Sequence, residues 1–309
     1  MNAIKYILIC GAGMMGKNIA FVMASNPAYQ VGVYDLYETD VPGGIRANTR
    51  QLIAKGALTE EELDARLSRI SFTTDLDSEL VSRADLVIEA VFEDMKIKRE
   101  TFAKLEARCR PDTIFCTNSS VMSPSEISAE LRHRERFVGT HFWNPGHLIP
   151  LVEVVKSDAS SDETAQTVME VLSSAGKEPV LCKKDVPGFI ANRMQHALWR
   201  EAISIVERGI ADAATVDKAV RYSFGLRLPQ LGPMENADMV GTDLTYNIHD
   251  YILKDLEDSH EPSPLLTRLR DEGKLGFKTG EGFQTWTPQQ IEQSKEALND
   301  YLVDMLYGK

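Results

Sequence analysis

Short apolar runs alternate with helical patterns through the first 186 residues, and this alternation restricts the possible folds more than any other feature of the sequence. We predict that five of the runs are strands: Tyr6–Cys10, Val31–Asp35, Leu86–Ala90, Thr113–Thr117 and Phe137–Phe142. The first four are almost continuously apolar, which is typical of parallel strands covered by helices on both faces. The sequence therefore predicts an α/β fold built on a doubly wound sheet.

The pattern changes at residues 185–189, where long helical periods replace the alternation. The apolar residues that follow are spaced to form one helical stripe, and Gly209 is placed to end that helix. We therefore predict two domains, an α/β domain over residues 1–186 and an all-helical domain over residues 187–309.

The segment between Leu36 and Ser71 predicts two helices that leave the sheet, with a turn at Gly56 and an N-cap at Thr59. We do not interpret this helix pair as a DNA reader, because acidic residues outnumber basic ones by 46 to 34 and the formal net charge is −12. Neither a signal peptide nor a run of 18 apolar residues is present, and the four cysteines form no C-x-x-C pair. We predict a cytoplasmic protein without a metal site, a nucleic-acid partner or a membrane partner.

A glycine-rich turn, Gly11-Ala-Gly-Met-Met-Gly16, directly follows the first predicted strand. Its glycines permit a tight turn and a close approach to a pyrophosphate, and the helix that begins near Met14 directs free N–H groups at the phosphates. Asp35 ends the second strand, where a carboxylate accepts hydrogen bonds from ribose hydroxyls and repels a 2′-phosphate. The alternative is a structural turn beside a surface aspartate. We favour a Rossmann-type site that binds NAD rather than NADP through Gly11, Gly13, Met14, Met15, Gly16 and Asp35.

His141 and Glu153 are the candidate catalytic pair. His141 lies at the end of the fifth predicted strand, at the edge where open α/β sheets bind their ligands. Glu153 stands inside the apolar run Leu151–Val155, where a charge is costly unless another group pairs with it. Their separation of 12 residues suits neighbouring strands joined by a loop. A carboxylate that orients an imidazole makes it a general base, whereas the alternative is a histidine with only a structural role.

Further motifs follow in a fixed order: Val87–Lys98, Thr117–Ser120, His141–Pro145, Leu151–Val154, Pro187–Arg193, Gly232–Asp243 and Gly276–Phe283. Together with the glycine-rich turn they resemble the L-3-hydroxyacyl-CoA dehydrogenase family over almost the whole chain. The resemblance implies that a Rossmann-type domain is followed by a helical domain through which two subunits form a homodimer.

The resemblance also implies roles for individual residues. His141 would remove the hydroxyl proton of the substrate while hydride leaves for the nicotinamide, and Glu153 would orient His141. Ser120 and Asn192 would hydrogen-bond the reacting oxygen or the imidazole. The residues that would line the nicotinamide half of the cofactor site are Glu93, Lys98 and Asn118.

Two segments depart from the CoA-dependent pattern. Residues 146–151 look more like the CoA-free branch of the family, which includes L-gulonate 3-dehydrogenase (lambda-crystallin) and a dehydrogenase of vitamin B6 breakdown. Residues 224–233 introduce Arg227, which suits a bidentate carboxylate in the substrate or, alternatively, a salt bridge or helix C-cap. We interpret His147 as a loop residue rather than a second base.

The helix pair instead favours a CoA thioester as the substrate, because it resembles the helical excursion that contacts CoA in bacterial short-chain enzymes. Arg46, Arg50 and Lys55 would then meet the phosphates of CoA, unless they form a solvated helix face. We favour an NAD-dependent oxidation of the 3-hydroxyl of a short acyl-CoA such as 3-hydroxybutyryl-CoA, in fatty acid metabolism. The alternative substrate is a free hydroxy-carboxylate. A non-catalytic, NAD-binding or crystallin-like protein is the alternative from another class, and the costly Glu153 argues against it.

Overall fold

The computed structural model describes residues 3–308, and within them eight strands form one sheet in the order β3-β2-β1-β4-β5-β6-β7-β8. All neighbouring strands are parallel except β6 and β7, which are antiparallel. The α/β, Rossmann-type fold class is therefore confirmed. The strands are β1 (Tyr6–Cys10), β2 (Gln30–Tyr34), β3 (Ile70–Thr73), β4 (Leu86–Glu89), β5 (Ile114–Thr117), β6 (Phe137–Phe142), β7 (Leu151–Lys156) and β8 (Glu178–Cys182).

Helices cover both faces of this sheet and make up most of the chain after it. Among the described residues, no helix combines the length and apolar character that a membrane span needs. The α-helices are α1 (Met14–Met23), α2 (Val41–Ala54), α3 (Glu60–Leu67), α4 (Glu79–Ser82), α5 (Met95–Glu106), α6 (Pro124–Ile127), α7 (Asp162–Ser174), α8 (Ala191–Glu207), α9 (Ala213–Arg221), α10 (Pro233–Val240), α11 (Thr242–Ile252), α12 (Pro264–Asp271) and α13 (Pro288–Tyr307).

The five strands predicted from apolar runs are present, with ends that shift by at most one residue. They are found because they lie inside the sheet, where both faces are buried. The outermost strands β3 and β8 were not predicted from the sequence, because their residues are mostly half-buried or exposed. Strand β8 also contains Pro179, which is typical of a strand at a sheet edge.

The predicted excursion is the helix pair α2 and α3, which are joined by a turn in which Gly56 has φ +70°. The N-cap prediction for Thr59 is confirmed, because its hydroxyl accepts the N–H of Glu62 at 3.1 Å. The Glu62 carboxylate in turn accepts the N–H of Thr59 at 2.9 Å, which completes a capping box. Gly209, with φ +68°, lies two residues after the last residue of α8, where the sequence predicts the end of that helix.

The apolar core lies on both faces of the sheet. One cluster packs α1, α2 and α7 against the strands, and the other is centred on three aromatic rings. Phe102 meets Phe137 edge-to-face with ring centroids 4.9 Å apart, and it meets Phe115 at 6.0 Å. All four cysteines are free and buried. This rigid core fixes the carboxyl ends of the strands, where the site residues lie.

The chain forms two compact units. The first contains the residues up to 191 and those from 298 onward, and the second contains residues 192–297. Within the first unit, Lys55 Nζ donates to the carbonyl oxygen of Asp300 at 3.1 Å and to Asp304 Oδ1 at 2.7 Å. The terminal segment, from residue 298 onward, therefore packs within the unit that contains the sheet. The predicted domain limits place it in the helical domain.

Candidate active site

The glycine-rich turn connects β1 to α1 at the carboxyl edge of the sheet. Gly11 has φ +108°, donates its N–H to the Tyr34 carbonyl oxygen at 2.8 Å, and has no room for a Cβ atom, which would lie 2.6 Å from the Ala90 carbonyl oxygen. At Gly13, by contrast, a Cβ would meet no heavy atom within 4 Å, so the space above the turn is open. No side chain caps α1. This open cradle at a helix N-terminus fits the pyrophosphate of a dinucleotide.

Asp35 stands beside this turn, directly after β2. Its carboxylate accepts the N–H of Ala12 at 2.6 Å and the N–H of Tyr37 at 3.1 Å. These bonds fix the carboxylate next to the glycine-rich turn while the side chain stays partly exposed. The arrangement fits an adenosine ribose at the carboxyl end of β2.

A buried charge cluster lies at the carboxyl ends of β4 and β5. Lys98 is 1% exposed, and its Nζ donates to Glu89 Oε1 at 2.7 Å and lies 3.0 Å from Glu93 Oε2. Glu93 Oε1 also accepts the hydroxyl of Ser119 and, at 3.2 Å, the N–H of Ser120. The cluster therefore brings together three residues that sequence analysis associated with the site and adds Glu89, which sequence analysis did not single out.

Asn118 links this cluster to the next strand. Its N–H donates to the carbonyl oxygen of Glu89 at 2.8 Å, and its Oδ1 accepts the N–H of Phe142 at 2.9 Å. The backbone and the side chain of Asn118 thereby hold the ends of β4, β5 and β6 together. Phe142 follows His141, so the same bond fixes the backbone next to the candidate base.

His141 and Glu153 lie directly opposite each other on the antiparallel strands β6 and β7. The distance from His141 Nδ1 to Glu153 Oε2 is 2.8 Å, and both side chains are buried. This pairing matches the spacing argument from the sequence. Because the carboxylate only accepts hydrogen bonds, it assigns the proton to Nδ1 and leaves the lone pair on Nε2.

Glu153 has three further donors. The indole Nε1 of Trp143 donates to Oε2 at 3.3 Å, and the N–H groups of Ile190 and Ala191 each donate to Oε1 at 2.9 Å. Burial raises the pKa of the Glu153 carboxyl, but the bonds from His141, Ala191 and Ile190 outweigh burial and hold that pKa below its ordinary value. The carboxylate is therefore charged and fixed in direction.

The backbone beside these donors is strained. Phe189 has φ +50°, in the left-handed region that non-glycine residues rarely adopt, and it follows Gly188 at φ +76°. The Phe189 side chain is buried, and its ring centroid lies 5.9 Å from that of His141. This turn aims two successive N–H groups at Glu153 just before α8 begins, and no side-chain pattern in the sequence reveals such backbone donors.

The remaining predicted site residues lie in several places. Ser120 follows β5 and is exposed, whereas Asn192 is buried near the start of α8. Arg227 belongs to the second unit, directly follows a 3₁₀ turn at Phe224–Leu226, and is exposed.

His147 is half-buried in the loop between β6 and β7, and among the described residues its buried Nδ1 atom has no hydrogen-bond partner. Burial and the nearby Lys177 ammonium lower the pKa of His147 to about 4. Burial also lowers the pKa of Lys177 to about 8, while its Nζ donates to the carbonyl oxygens of Gly146 and Ile149, each at 2.7 Å. His147 is thus a neutral side chain at neutral pH, in a loop that the hydrogen bonds from Lys177 hold in place.

Two of the three basic residues proposed for CoA phosphates already have carboxylate partners. Arg46 pairs with Glu60 and Asp64 of the neighbouring helix. Lys55 pairs with Asp304, which raises the pKa of the lysine through their hydrogen bond. These side chains connect α2 and the residue that follows it to α3 and to α13.

Comparison with known proteins gives the family. Residues 6–186 match the NAD binding domain of 3-hydroxyacyl-CoA dehydrogenase, and residues 188–286 match its C-terminal domain. The chain belongs to the 3-hydroxyacyl-CoA dehydrogenase family. It is accordingly an NAD-dependent oxidoreductase, and its first unit carries the NAD-binding domain of this family.

Relatives of this 3-hydroxyacyl-CoA dehydrogenase family member include enzymes that differ in their named substrates. The 5-formyl-3-hydroxy-2-methylpyridine 4-carboxylate 5-dehydrogenase of Mesorhizobium japonicum is 34% identical over 94% of this chain and 93% of its own. A crystal structure of an enzyme of that name, described as an NAD⁺-dependent dismutase, is 33% identical, covers 97% of both chains and has a TM-score of 0.89. The (S)-3-hydroxybutyryl-CoA dehydrogenase of Ralstonia eutropha is 29% identical over 92% of this chain and 100% of its own, with a TM-score of 0.77.

Proposed function

We propose that the protein oxidises a secondary or primary hydroxyl with His141 as the general base and Glu153 as its orienting partner. The observation that carries this proposal is the buried 2.8 Å pairing of the imidazole with a carboxylate that is itself held by backbone donors. His141 Nε2 accepts the hydroxyl proton, and the negative charge of Glu153 stabilises the imidazolium that forms. NAD, when bound, supplies the hydride acceptor.

The cofactor contacts follow from the same edge of the sheet. Gly11, Gly13 and Gly16 form the cradle, together with the first N–H groups of α1 at Met14 and Met15. Asp35 binds the adenosine ribose and selects NAD over NADP. Glu93, Lys98 and Asn118 hold the nicotinamide half. We assign Ser120 and Asn192 to the reacting oxygen of the substrate or to the imidazole of His141.

We propose a small, CoA-free hydroxy-carboxylate as the substrate, with Arg227 as the partner of its carboxylate. Two observations favour it over the acyl-CoA that sequence analysis favoured. Arg46 and Lys55, which would meet CoA phosphates, are engaged with carboxylates of this chain. The structural similarity is also greater to the pyridine-carboxylate enzyme than to the 3-hydroxybutyryl-CoA enzyme, with TM-scores of 0.89 and 0.77.

A short 3-hydroxyacyl-CoA is the second candidate substrate. It is favoured by the family name of both matching domains and by the intact α2–α3 helix pair. Under this candidate, Arg50 and rearranged Arg46 and Lys55 side chains contact the CoA phosphates, and the enzyme belongs to fatty acid metabolism.

A substrate panel tests both candidates. NADH absorbance is followed with the purified enzyme, NAD⁺, and either 3-hydroxybutyryl-CoA or a series of aromatic and aliphatic hydroxy-carboxylates. We expect kcat/KM to be higher for at least one free acid than for the thioester. A higher value for the thioester would reverse the assignment, and no turnover with any substrate would favour the non-catalytic, crystallin-like alternative.

We also propose that the protein works in the cytoplasm as a homodimer that pairs through its helical domain. We keep 1–186 and 187–309 as the proposed domain limits along the sequence, although the residues from 298 onward pack within the first compact unit. The large apolar side chains that the second unit exposes support the pairing.

A further inference from the structure

Glu89 is a buried carboxylate that the mechanism above does not use. It ends β4, is 0% exposed, and accepts three hydrogen bonds of 2.7 Å each, from Lys98 Nζ, the N–H of Val91 and the hydroxyl of Thr117. Burial of a carboxylate is costly unless donors satisfy its lone pairs. Burial holds the pKa of the Glu89 carboxyl above its ordinary value, and the Lys98 ammonium and the other donors offset only part of that rise.

Glu89 is connected to the surface of the site through one ammonium group. Lys98 Nζ contacts the buried Glu89 on one side and the partly exposed Glu93 on the other. Glu93 in turn accepts from Ser119 and Ser120, at the carboxyl end of β5. Lys98 therefore links the charge at Glu89 to Glu93.

The position of this cluster in the sheet relates it to the cofactor. The strand order reverses at β1, which has β2 on one side and β4 on the other, and ligands of open α/β sheets bind at such a point. Since Asp35 on the β2 side takes the adenosine ribose, the other half of a dinucleotide extends over β4 and β5. Ala90, which follows Glu89, donates its N–H to the Cys10 carbonyl oxygen at 2.7 Å and closes off the space beside Gly11.

We propose that Glu89 is a positioning residue for the nicotinamide half of the cofactor, which it serves by fixing Lys98 and, through Lys98, Glu93. This inference rests on the cofactor contacts of the proposed function. Two carboxylates and one ammonium also give the cluster a net charge of about −1, which favours the cationic ring of NAD⁺ over the neutral ring of NADH. A buried ion pair adds little stability compared with apolar side chains of similar volume, so a purely structural role does not require it.

The variant Glu89→Gln keeps the size of the side chain and removes its charge. We expect its Kd for NAD⁺ to rise about ten-fold, because the buried Lys98 ammonium loses the charged partner Glu89. The Kd for NADH should rise less. Isothermal titration with each nucleotide alone measures both values without any substrate, so a failure of the proposed base or hydroxy-acid assignment would leave this result readable.

Asp85 provides the matched control at the other end of the same strand. It immediately precedes β4, is also buried, and accepts from the N–H groups of Lys5 and Tyr6 at 2.7 and 2.8 Å and from Arg110 at 2.6 Å. Asp85→Asn removes a buried charge at the opposite end of β4, so it should lower Tm and leave the Kd for NAD⁺ within about two-fold. An equal loss of NAD⁺ affinity in both variants would mean that Glu89 only stabilises the fold.

A double-mutant cycle tests the route through Lys98. If Glu89 acts through this ammonium, Glu89→Gln should change the Kd for NAD⁺ little when Lys98→Met is already present. Additive effects, or a Kd in Glu89→Gln within two-fold of wild type, would overturn the proposal. Should Glu89→Gln fail to fold, Thr117→Val removes one donor and no charge, and it should weaken NAD⁺ binding by a few-fold. Unchanged binding in that variant would count equally against the proposal.

Discussion

The two units of the molecule differ in what they bury. The first packs a continuous apolar core against both faces of its sheet. In the second, residues 192–297 are all described, and none of their apolar side chains is buried. Tyr222, Met234, Tyr246 and Tyr251 are each more than 70% exposed. The first unit therefore has the burial that stabilises a domain, whereas the second presents apolar surface of the kind that marks an interface.

Polar groups show the reverse distribution. The first unit buries charged side chains in matched sets, such as His141 with Glu153 and Lys98 with Glu89. Such sets are preorganised because packing and backbone donors fix them before any ligand arrives. We infer that the first unit carries the proton chemistry and the cofactor, and that the second contributes association and substrate selection. This division of roles predicts that each can be damaged separately.

The largest effect is expected from the candidate base. His141→Gln should lower kcat by about 10²–10⁴, the usual contribution of a positioned general base, and leave the Kd for NAD⁺ and the molecular mass unchanged. Stopped-flow kinetics, titration and light scattering measure the three quantities. A near-normal kcat would place the base elsewhere, with His147 as the next candidate, and a changed mass would show that the two roles are not separable.

Glu153→Gln should reduce kcat nearly as much, and it adds a pH signature. The imidazole loses the carboxylate that orients it and that stabilises the imidazolium formed in the reaction. The low pKa of Glu153 also makes a stability prediction. The stability that wild type gains from this carboxylate should be fully present above the pKa of the unfolded carboxyl and should be lost as pH falls through the lower pKa of the folded state. Thermal unfolding between pH 3 and 8 checks the sign, and a variant that gains stability relative to wild type with rising pH would contradict it.

The substrate contact of the second unit should have a smaller effect. If a free acid is the substrate, Arg227→Met should raise its KM by roughly tens-fold with little change in kcat, because a fork-shaped partner of the carboxylate is lost. The matched set of variants for the thioester candidate replaces Arg46, Arg50 and Lys55 by Gln. That set should weaken 3-hydroxybutyryl-CoA binding in a salt-dependent way only if the thioester is the substrate. If no variant changes KM or binding for either substrate, neither anion site is correctly assigned.

A substitution in the cofactor site separates cofactor selection from proton chemistry within the first unit. Asp35→Asn keeps one of the two oxygens that accept the N–H groups of Ala12 and Tyr37 and removes the charge that repels a 2′-phosphate. We expect the preference for NAD over NADP to fall about ten-fold, chiefly through tighter NADP binding. Fluorescence titration of wild type and variant with both nucleotides measures it. Wild-type binding of NADP as tight as that of NAD would remove the assignment of Asp35.

The sequence predicted the interior of the sheet and much of the site, for a physical reason. Interior strands need long apolar runs, and a charged residue inside such a run signals a partner, which is how Glu153 was found. The same signal was present at Glu89, inside the predicted strand Leu86–Ala90, but the sequence analysis did not single this residue out. Edge strand β3 lacks a continuous run. The N–H donors of Ile190 and Ala191 depend on the backbone angle at Phe189, which the sequence does not encode as a pattern.

The smallest expected effect concerns the association of two chains. Burying the apolar surface of the second unit against a second copy should give a light-scattering mass near twice the 34.5 kDa of one chain at micromolar concentration. Tyr251, 85% exposed on α11, is a test position, and Tyr251→Glu should raise the monomer fraction because a charge must then be desolvated in the interface. Lys254→Gln, in the segment just after that helix, is the control and should leave the mass unchanged. A wild-type mass of 34.5 kDa would show that the exposed side chains are not covered by a second copy, and the division of roles between the units would then rest on the polar groups alone.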